Sequence, residues 1–150
     1  MTNMQAQKVE LTPSLREKIL ESPPSDYMND EQLAYFRELL VELHDTTRER
    51  IREAKEQMLS PPDLSDISDR ATWEEQCAIL MRIVDREQRL LPKIQQSLER
   101  IRLGEYGYCV ETGEPIGIPR LLARPTAEFC ADVKLCQELQ EHNYAKHREL

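Results

Sequence analysis

Residues 104–133 read GEYGYCVETGEPIGIPRLLARPTAEFCADV, and they are the most informative part of the sequence. It contains all four glycines of the protein, at positions 104, 107, 113 and 117, and two of the four cysteines. Two residues separate Cys109 from Thr112 and Cys130 from Val133, and seventeen residues lie between these two pairs. This spacing is typical of a zinc ribbon, in which two backbone knuckles each contribute a pair of metal ligands.

A structural zinc site needs four donors, but two of these four positions do not supply a thiolate. Zn²⁺ prefers a tetrahedron of cysteine and histidine ligands. Val133 has no donor atom, and Thr112 offers only a hydroxyl group, which is a poor zinc ligand. Gly113 nevertheless follows Thr112, where a knuckle turn needs a residue that tolerates a positive φ angle. The stretch therefore predicts a knuckle scaffold that keeps its turns and has lost its metal.

The composition favours long solvated helices with one narrow apolar seam. Charged residues make up 32% of the chain and aromatic residues only 5%, so a wide core is not expected. The net charge of −8 argues against DNA binding as the main activity, since that affinity comes mainly from neutralising phosphates. We find no apolar run of membrane-spanning length and no signal-peptide core, so we expect a cytoplasmic protein whose cysteines are reduced.

The segment after Asn29 has the apolar spacing of a long helix. Asn29 can cap this helix with its side chain, and Gln32 completes a capping-box pattern. Apolar residues then recur mainly at spacings of three and four, as in one half of a coiled coil: Leu33, Phe36, Leu40, Leu43, Ile51, Ala54 and Met58. Thr47 fills the gap in this seam, and the sequence Ser60-Pro61-Pro62 predicts the end of the helix.

A second long helix is predicted from about Asp69 to Leu103. Its seam consists of Trp73, Cys77, Leu80, Val84, Leu91, Ile94, Leu98 and Ile101. Because a short connector joins the two seams, they predict an antiparallel coiled-coil hairpin in which Thr47 and Glu87 share one polar layer that helps to fix the register. Pro92 lacks a backbone N–H and predicts a kink in the second helix.

Shorter helices are predicted at both ends of the chain. Thr12 and Pro13 are a favourable helix start, and the helix Pro13–Leu20 belongs to a loosely attached extension. In the C-terminal helix the sequence predicts that three apolar residues face inward, namely Leu135, Leu139 and Tyr144, and that Cys136 is a packed thiol.

The predicted fold is therefore mainly α. It consists of an N-terminal extension with a short helix (residues 1–28), a long coiled-coil hairpin (29–103, with its tip at about 60–69), a small degenerate zinc-ribbon-like globular segment (104–133) and a C-terminal helix (134–150).

The motifs YGYC, TGEPIG and RLLARPTAEFC resemble the C-terminal segment of the DksA/TraR family, whose members regulate RNA polymerase through its secondary channel. The resemblance covers roughly Tyr27 to Lys134. It is closest to the zinc-independent DksA paralogues, which carry Thr at the second ligand position and a small apolar residue at the fourth. It implies a monomeric regulator of transcription initiation, not an enzyme, that binds RNA polymerase directly. It also implies no zinc, no tightly bound cofactor and no sequence-specific DNA binding.

The resemblance implies a function for the hairpin tip. Members of the family carry a D-x-x-D-x-A motif there, and Asp66, Asp69 and Ala71 match it. In the family this tip reaches toward the polymerase active centre, where carboxylates can compete for Mg²⁺ or for basic groups. The residues alone leave a structural alternative open, because Asp at a helix N-terminus is favoured by capping and by the helix dipole.

Four further positions match family residues that bind guanosine tetraphosphate (ppGpp) at a site shared with RNA polymerase: Leu90, Lys93, Arg124 and Lys134. Arg and Lys are the usual partners of phosphate groups. The residues alone are equally compatible with ordinary surface cations, or with Arg120 or Arg124 capping nearby carbonyls. Pro92, next to Lys93, departs from the family pattern.

Two other function classes stay open. Cys109, Cys130 and Cys136 could form a thiol-based redox or metal sensor, although no histidine lies at knuckle spacing and buried packing is the simpler interpretation. The hairpin could also belong to a plain coiled-coil interaction protein. We find no phosphate-binding glycine loop, no His-Glu helix motif and no nucleophile elbow, so an enzyme is not expected.

Overall fold

The computed structural model describes residues 10–62 and 66–148, which form two units. The hairpin unit contains the described residues from Leu40 to Leu98. The globular unit contains the described residues up to Leu39 together with those from Glu99 onward. Part of the predicted tip connector, the start of the N-terminal extension and the last two residues of the chain lie outside the described residues.

Helices provide most of the regular structure. They are α1 (Pro13–Leu20), α2 (Asp30–Leu59), α3 (Ile67–Leu103), α4 (Ile118–Ala123) and α5 (Ala131–Arg148), with a 3-10 turn at Pro24–Asp26. An isolated antiparallel bridge joins Tyr108 to Pro115 in the glycine-rich stretch. The predicted mainly α fold with two long helices is confirmed. Within residues 10–62 and 66–148, no helix has both the length and the apolar character needed to cross a membrane.

Side-chain caps start α1 and α2 where the sequence predicts them. Thr12 Oγ1 accepts a hydrogen bond from Leu15 N at 3.3 Å, and Asn29 Oδ1 accepts one from Gln32 N at 2.8 Å. The capping-box prediction for Gln32 is wrong, because Asn29 N donates to Asp26 O at 3.2 Å instead. The Gln32 side chain is buried, and its Oε1 has no hydrogen-bond partner among the described residues.

The core of the hairpin unit follows the predicted seams. Ile51 and Ala54 of α2 pack with Val84 of α3 in one buried cluster, and three partly buried residues pack against it: Met58, Leu80 and Leu91. Thr47 and Glu87 are both buried, as the predicted polar layer requires. A single row of apolar contacts therefore stabilises this unit, and it is interrupted where two polar side chains are buried.

The globular unit has a more varied core. Its most buried apolar residues are Ile19, Tyr35, Phe36, Tyr106, Cys109, Ile116, Ile118, Leu121 and Ala127. The rings of Phe36 and Tyr106 pack with their centroids 5.6 Å apart. Ile19 is buried and α1 contacts α4, so α1 is not the loosely attached extension that the sequence predicted.

Helix α5 exposes the residues that were predicted to face inward. Leu135 and Leu139 are each 56% exposed and Tyr144 is 77% exposed. Cys136 is exposed as well, so the prediction of a packed thiol is wrong. The physical reason lies in the pattern, because two leucines one turn apart give too narrow a stripe to hold a helix of mostly polar residues against a core.

Tyr27 connects the linker after α1 to the glycine-rich stretch. Its hydroxyl donates a hydrogen bond to Gly107 O at 2.6 Å and accepts one from Gly117 N at 3.0 Å. Its ring lies edge-on to that of Tyr108, with the centroids 5.5 Å apart. Gly107 and Gly117 have φ angles of 90° and 101°. One hydroxyl group therefore satisfies backbone groups at two turns that glycine forms most readily.

The substitution Tyr27→Phe removes this hydroxyl and keeps the ring. It leaves the Gly117 N–H without its partner, and it removes one of the two hydrogen bonds that Gly107 O accepts, since Ile116 N still donates to this oxygen at 2.8 Å. We therefore expect the free energy of unfolding to fall by about 1–3 kcal/mol. Urea unfolding followed by circular dichroism measures this change. Tyr144→Phe is the matched control, because the Tyr144 side chain is exposed. Loss of its hydroxyl group should change the free energy of unfolding by less than about 0.5 kcal/mol. Equal stability of Tyr27→Phe and the wild type would contradict the connecting role of Tyr27.

Candidate functional site

The two aspartates at the hairpin tip have different structural roles. Asp66 directly precedes α3, and its Oδ1 accepts a hydrogen bond from Ser68 N at 3.2 Å. Its carbonyl oxygen accepts from Arg70 N at 3.1 Å, which is the first intrahelical bond of α3. Asp66 is therefore the N-cap of α3.

Asp69 lies inside the first turn of α3, three residues after the cap, and its side chain is exposed. Ala71 follows on the next turn and is exposed as well. The positive end of the helix dipole favours a carboxylate at this position. Capping therefore explains Asp66 but not Asp69, whose carboxyl group faces solvent.

The four residues that match the family ppGpp site divide between the two units. Leu90 and Lys93 lie one turn apart on α3 in the hairpin unit, where Leu90 is half-buried and Lys93 is exposed. Arg124 and Lys134 belong to the globular unit. Arg124 ends α4 and is exposed, whereas Lys134 is half-buried in the first turns of α5.

Arg120, not Arg124, uses its guanidinium group to satisfy a backbone carbonyl. Arg120 Nε donates a hydrogen bond to Phe129 O at 3.1 Å. Arg124 contributes to the local structure through its backbone, since its N–H donates to Arg120 O at 2.8 Å and its carbonyl accepts from Ala127 N at 3.0 Å. The capping alternative therefore applies to Arg120, and the Arg124 side chain stays exposed.

The first knuckle has the turn that the sequence predicts. Cys109 N donates to Glu114 O at 2.7 Å, and Gly113 N donates to Cys109 O at 2.9 Å. Gly113 has a φ angle of 73°, which a residue with a side chain adopts only with strain. Val110 N donates to Glu128 O at 2.9 Å and so joins this knuckle to the chain that leads into the second one.

Cys109 is buried at the centre of this knuckle, with only 3% of its surface exposed. Burial raises the pKa of its thiol, but hydrogen bonds from the Thr112 side chain and from the backbone N–H groups of Cys130, Thr112 and Glu111 outweigh burial and lower the pKa to about 6. Thr112 Oγ1 also accepts from Glu114 N at 3.3 Å. Thr112, at the second ligand position, therefore uses its hydroxyl oxygen within the knuckle turn.

The donors present do not fit a four-cysteine zinc site. The Thr112 hydroxyl is engaged in hydrogen bonds, and Val133 has no donor atom. Cys130 is half-buried, and Cys136 is exposed on α5. In the described part of the chain, no three Cys, His, Asp or Glu side chains lie close enough together to hold one metal ion.

Two residues that position this region were not identified from the sequence, Tyr27 and Arg100. Arg100 Nη2 donates to Glu105 O at 3.0 Å and to Tyr108 O at 2.7 Å, which fixes the end of α3 to the segment entering the knuckle. A basic residue in the last helical turn before Gly104 is a recognisable C-terminal signal. Tyr27 has no such signal, because its two partners are 80 and 90 residues away.

Comparison with known protein families gives two matches along the chain. The family described as DnaK suppressor protein DksA, N-terminal domain, matches residues 32–101. The family described as prokaryotic dksA/traR C4-type zinc finger matches residues 104–142. The second match covers the glycine-rich stretch, where Thr112 and Val133 stand at two of the four ligand positions.

Individual relatives cover most of the chain. The RNA polymerase-binding transcription factor DksA of Caulobacter vibrioides is 39% identical over 129 residues, which are 85% of this chain and 89% of the relative. The protein of the same name from Escherichia coli K12 is 37% identical over 126 residues, which are 83% of each chain. The structure of transcription factor DksA2 from Pseudomonas aeruginosa has a TM-score of 0.73 and 40% sequence identity, and the match covers 84% of this chain and 98% of that one. The chain therefore belongs to the DksA/TraR family.

Proposed function

We propose that this protein is a cytoplasmic, monomeric transcription regulator that binds RNA polymerase directly and inserts the hairpin unit into the secondary channel. The relatives named RNA polymerase-binding transcription factors support the choice of partner. The observation that carries the proposal is the exposure of Asp69, a carboxyl group at the hairpin tip that does not cap the helix. The action is regulatory and not enzymatic.

In this proposal the tip acts through the negative charge of the Asp69 carboxylate. An exposed carboxylate on the first turn of a long helix can approach Mg²⁺ or a basic side chain of the polymerase active centre. Ala71 has only a methyl group, so it leaves room for close approach. The cap at Asp66 keeps the N-terminus of α3 ordered, and so it holds Asp69 in a defined position.

We extend the proposal to ppGpp as a ligand shared with RNA polymerase. Lys93, Arg124 and Lys134 carry cations that can pair with phosphate groups, and the half-buried Leu90 offers an apolar contact. The separate roles of Arg120 and Arg124 support this choice, because the guanidinium group of Arg120 is already bonded to a carbonyl.

We further propose that regulation is independent of zinc. Backbone hydrogen bonds around Cys109 and the hydrogen bonds of the Tyr27 hydroxyl supply the cohesion that a metal gives to a four-cysteine knuckle. A thiol sensor is the second candidate function, favoured by the lowered pKa of Cys109. We prefer the regulator, because burial of Cys109 restricts the access of oxidants to its sulfur.

Zinc independence predicts that an excess of chelator leaves the protein folded. Far-UV circular dichroism and the melting temperature should not change, and elemental analysis should give well below one zinc ion per chain. The double variant Thr112→Cys, Val133→Cys is the matched control, because it restores four thiols at knuckle spacing and should bind zinc stoichiometrically. Stoichiometric zinc in the wild type, with unfolding by the chelator, would refute zinc independence.

The proposed role of the tip predicts that Asp69→Asn loses most of the effect on transcription initiation. The amide keeps the shape of the side chain and removes its charge, so helicity, melting temperature and polymerase affinity should stay close to those of the wild type. A transcription assay with purified polymerase measures the regulatory effect, and a binding assay with the same polymerase measures affinity.

Two control variants separate charge from capping in this experiment. Asp66→Asn should stay stable, because Asn and Asp cap helices about equally well. Asp45→Asn removes an equal charge from an exposed side chain elsewhere in the hairpin unit and should leave regulation unchanged. Normal regulation by Asp69→Asn would show that the tip carboxylate has no part in the mechanism.

The proposed ppGpp contacts predict that Lys93→Ala, Arg124→Ala and Lys134→Ala each weaken the response to added ppGpp. The loss of one charge-assisted hydrogen bond is worth at most about 1.5–3 kcal/mol, so the ppGpp concentration for half-maximal response should rise by up to roughly 10- to 100-fold. Binding to polymerase without ppGpp should persist. Lys55→Ala removes an exposed cation from α2 and is the control, so it should leave the ppGpp response unchanged. An unchanged response in all three test variants would refute the assignment of these residues to ppGpp binding.

A further inference from the structure

We propose that the buried polar layer of Thr47 and Glu87 is a built-in flexible point of the hairpin unit. At this layer α2 and α3 open locally more readily than in the apolar layers on the tip side. The proposal concerns the free protein and does not depend on the proposed partner or ligand.

The first support is the burial of two oxygen atoms without hydrogen bonds. Thr47 is 0% exposed and Glu87 is 6% exposed. Thr47 Oγ1 and Glu87 Oε2 are buried and have no hydrogen-bond partner among the described residues. A buried polar atom without a hydrogen-bond partner loses its hydration and gains no hydrogen bond in exchange, so this layer is less stable than an apolar layer of the same size.

The second support is the arrangement of charged groups around Glu87. Arg50 Nη1 and Arg86 Nη2 lie 3.7 and 3.8 Å from Glu87 Oε1. Both distances are longer than a hydrogen bond, so the guanidinium groups attract the carboxyl group without satisfying it. The arginine side chains are 55% and 77% exposed. An outward movement of Glu87 would therefore restore its hydration while its cationic neighbours stay within reach.

The third support is a backbone defect in the next turn of α3. Pro92 lies inside the helix and has no N–H, so the carbonyl of Gln88 cannot form its usual bond four residues along the chain. Gln88 directly follows Glu87. The weakest side-chain layer and the missing backbone bond therefore occur at the same level of α3.

The layers on either side of this point are apolar. Toward the tip, Ile51, Ala54 and Val84 form the buried cluster of the unit. In the other direction along α3, Ile94 is fully buried. Because replacing a buried charged group by an apolar one is often neutral or stabilising, the polar layer reduces the stability of the hairpin at one defined level. The expected consequence is local opening there without unfolding of the neighbouring layers.

Hydrogen exchange of the full-length protein, resolved to single amides by NMR, tests the proposal. Amides of residues 46–50 and 86–91 should exchange about tenfold or more faster than those of residues 52–56 and 80–84. Equal protection of the two groups in the wild type would overturn the proposal. This comparison needs no variant, so it is decisive even where a substitution impairs folding.

A double variant gives the second arm of the test. Thr47→Val with Glu87→Met fills the layer with apolar groups of similar size, and it should slow exchange at the layer about tenfold and raise the melting temperature by several degrees. Glu53→Gln, an exposed position on α2, is the control and should change neither quantity. A folded double variant with wild-type exchange rates at residues 46–50 and 86–91 would also overturn the proposal.

Discussion

The glycine-rich stretch depends on the backbone hydrogen bonds that surround the buried Cys109. In a zinc ribbon a metal ion draws together ligands from two knuckles. Here Cys109 N donates to Glu114 O and Gly113 N donates to Cys109 O within the first knuckle. Val110 N donates to Glu128 O, which lies two residues before Cys130 of the second knuckle. Backbone hydrogen bonds thus connect the two knuckles, which in a zinc ribbon share a metal ion.

Two tyrosine hydroxyls extend this connection through the globular unit. Tyr27 bonds to two glycine turns, and Tyr106 donates a hydrogen bond to Pro125 O at 2.7 Å. Burial raises the pKa of Tyr106, so its hydroxyl stays protonated and remains a donor. Small units rarely gain enough stability from an apolar core alone, and they usually add disulfides or metals. In the globular unit, the hydrogen bonds of tyrosine hydroxyl groups add this stability.

The sequence was informative for the N-caps of α1 and α2 and for the apolar seams of the hairpin unit. Thr12 and Asn29 start helices as predicted, and the apolar spacing identified the residues that pack in the hairpin unit, including the buried positions of Thr47 and Glu87. It was misleading where burial depends on distant partners. The stripe on α5 is apolar but exposed, and α1 is fixed by a contact with α4. The Tyr27 contacts span 80 and 90 residues, so no local pattern could have revealed them.

Asp66 and Asp69 have different roles at the tip, and this difference raises the question of why position 69 carries an acidic residue. Asp66 already satisfies the N-terminus of α3, so the helix needs no second capping side chain. The helix dipole favours an acid at this position by only about 0.3–1 kcal/mol when the side chain is exposed. An exposed charge at the tip also adds nothing to the apolar contacts that hold the two helices together. Folding therefore accounts for an acidic residue at position 66 and hardly constrains position 69, so the reason for its charge has to be sought in what the tip contacts.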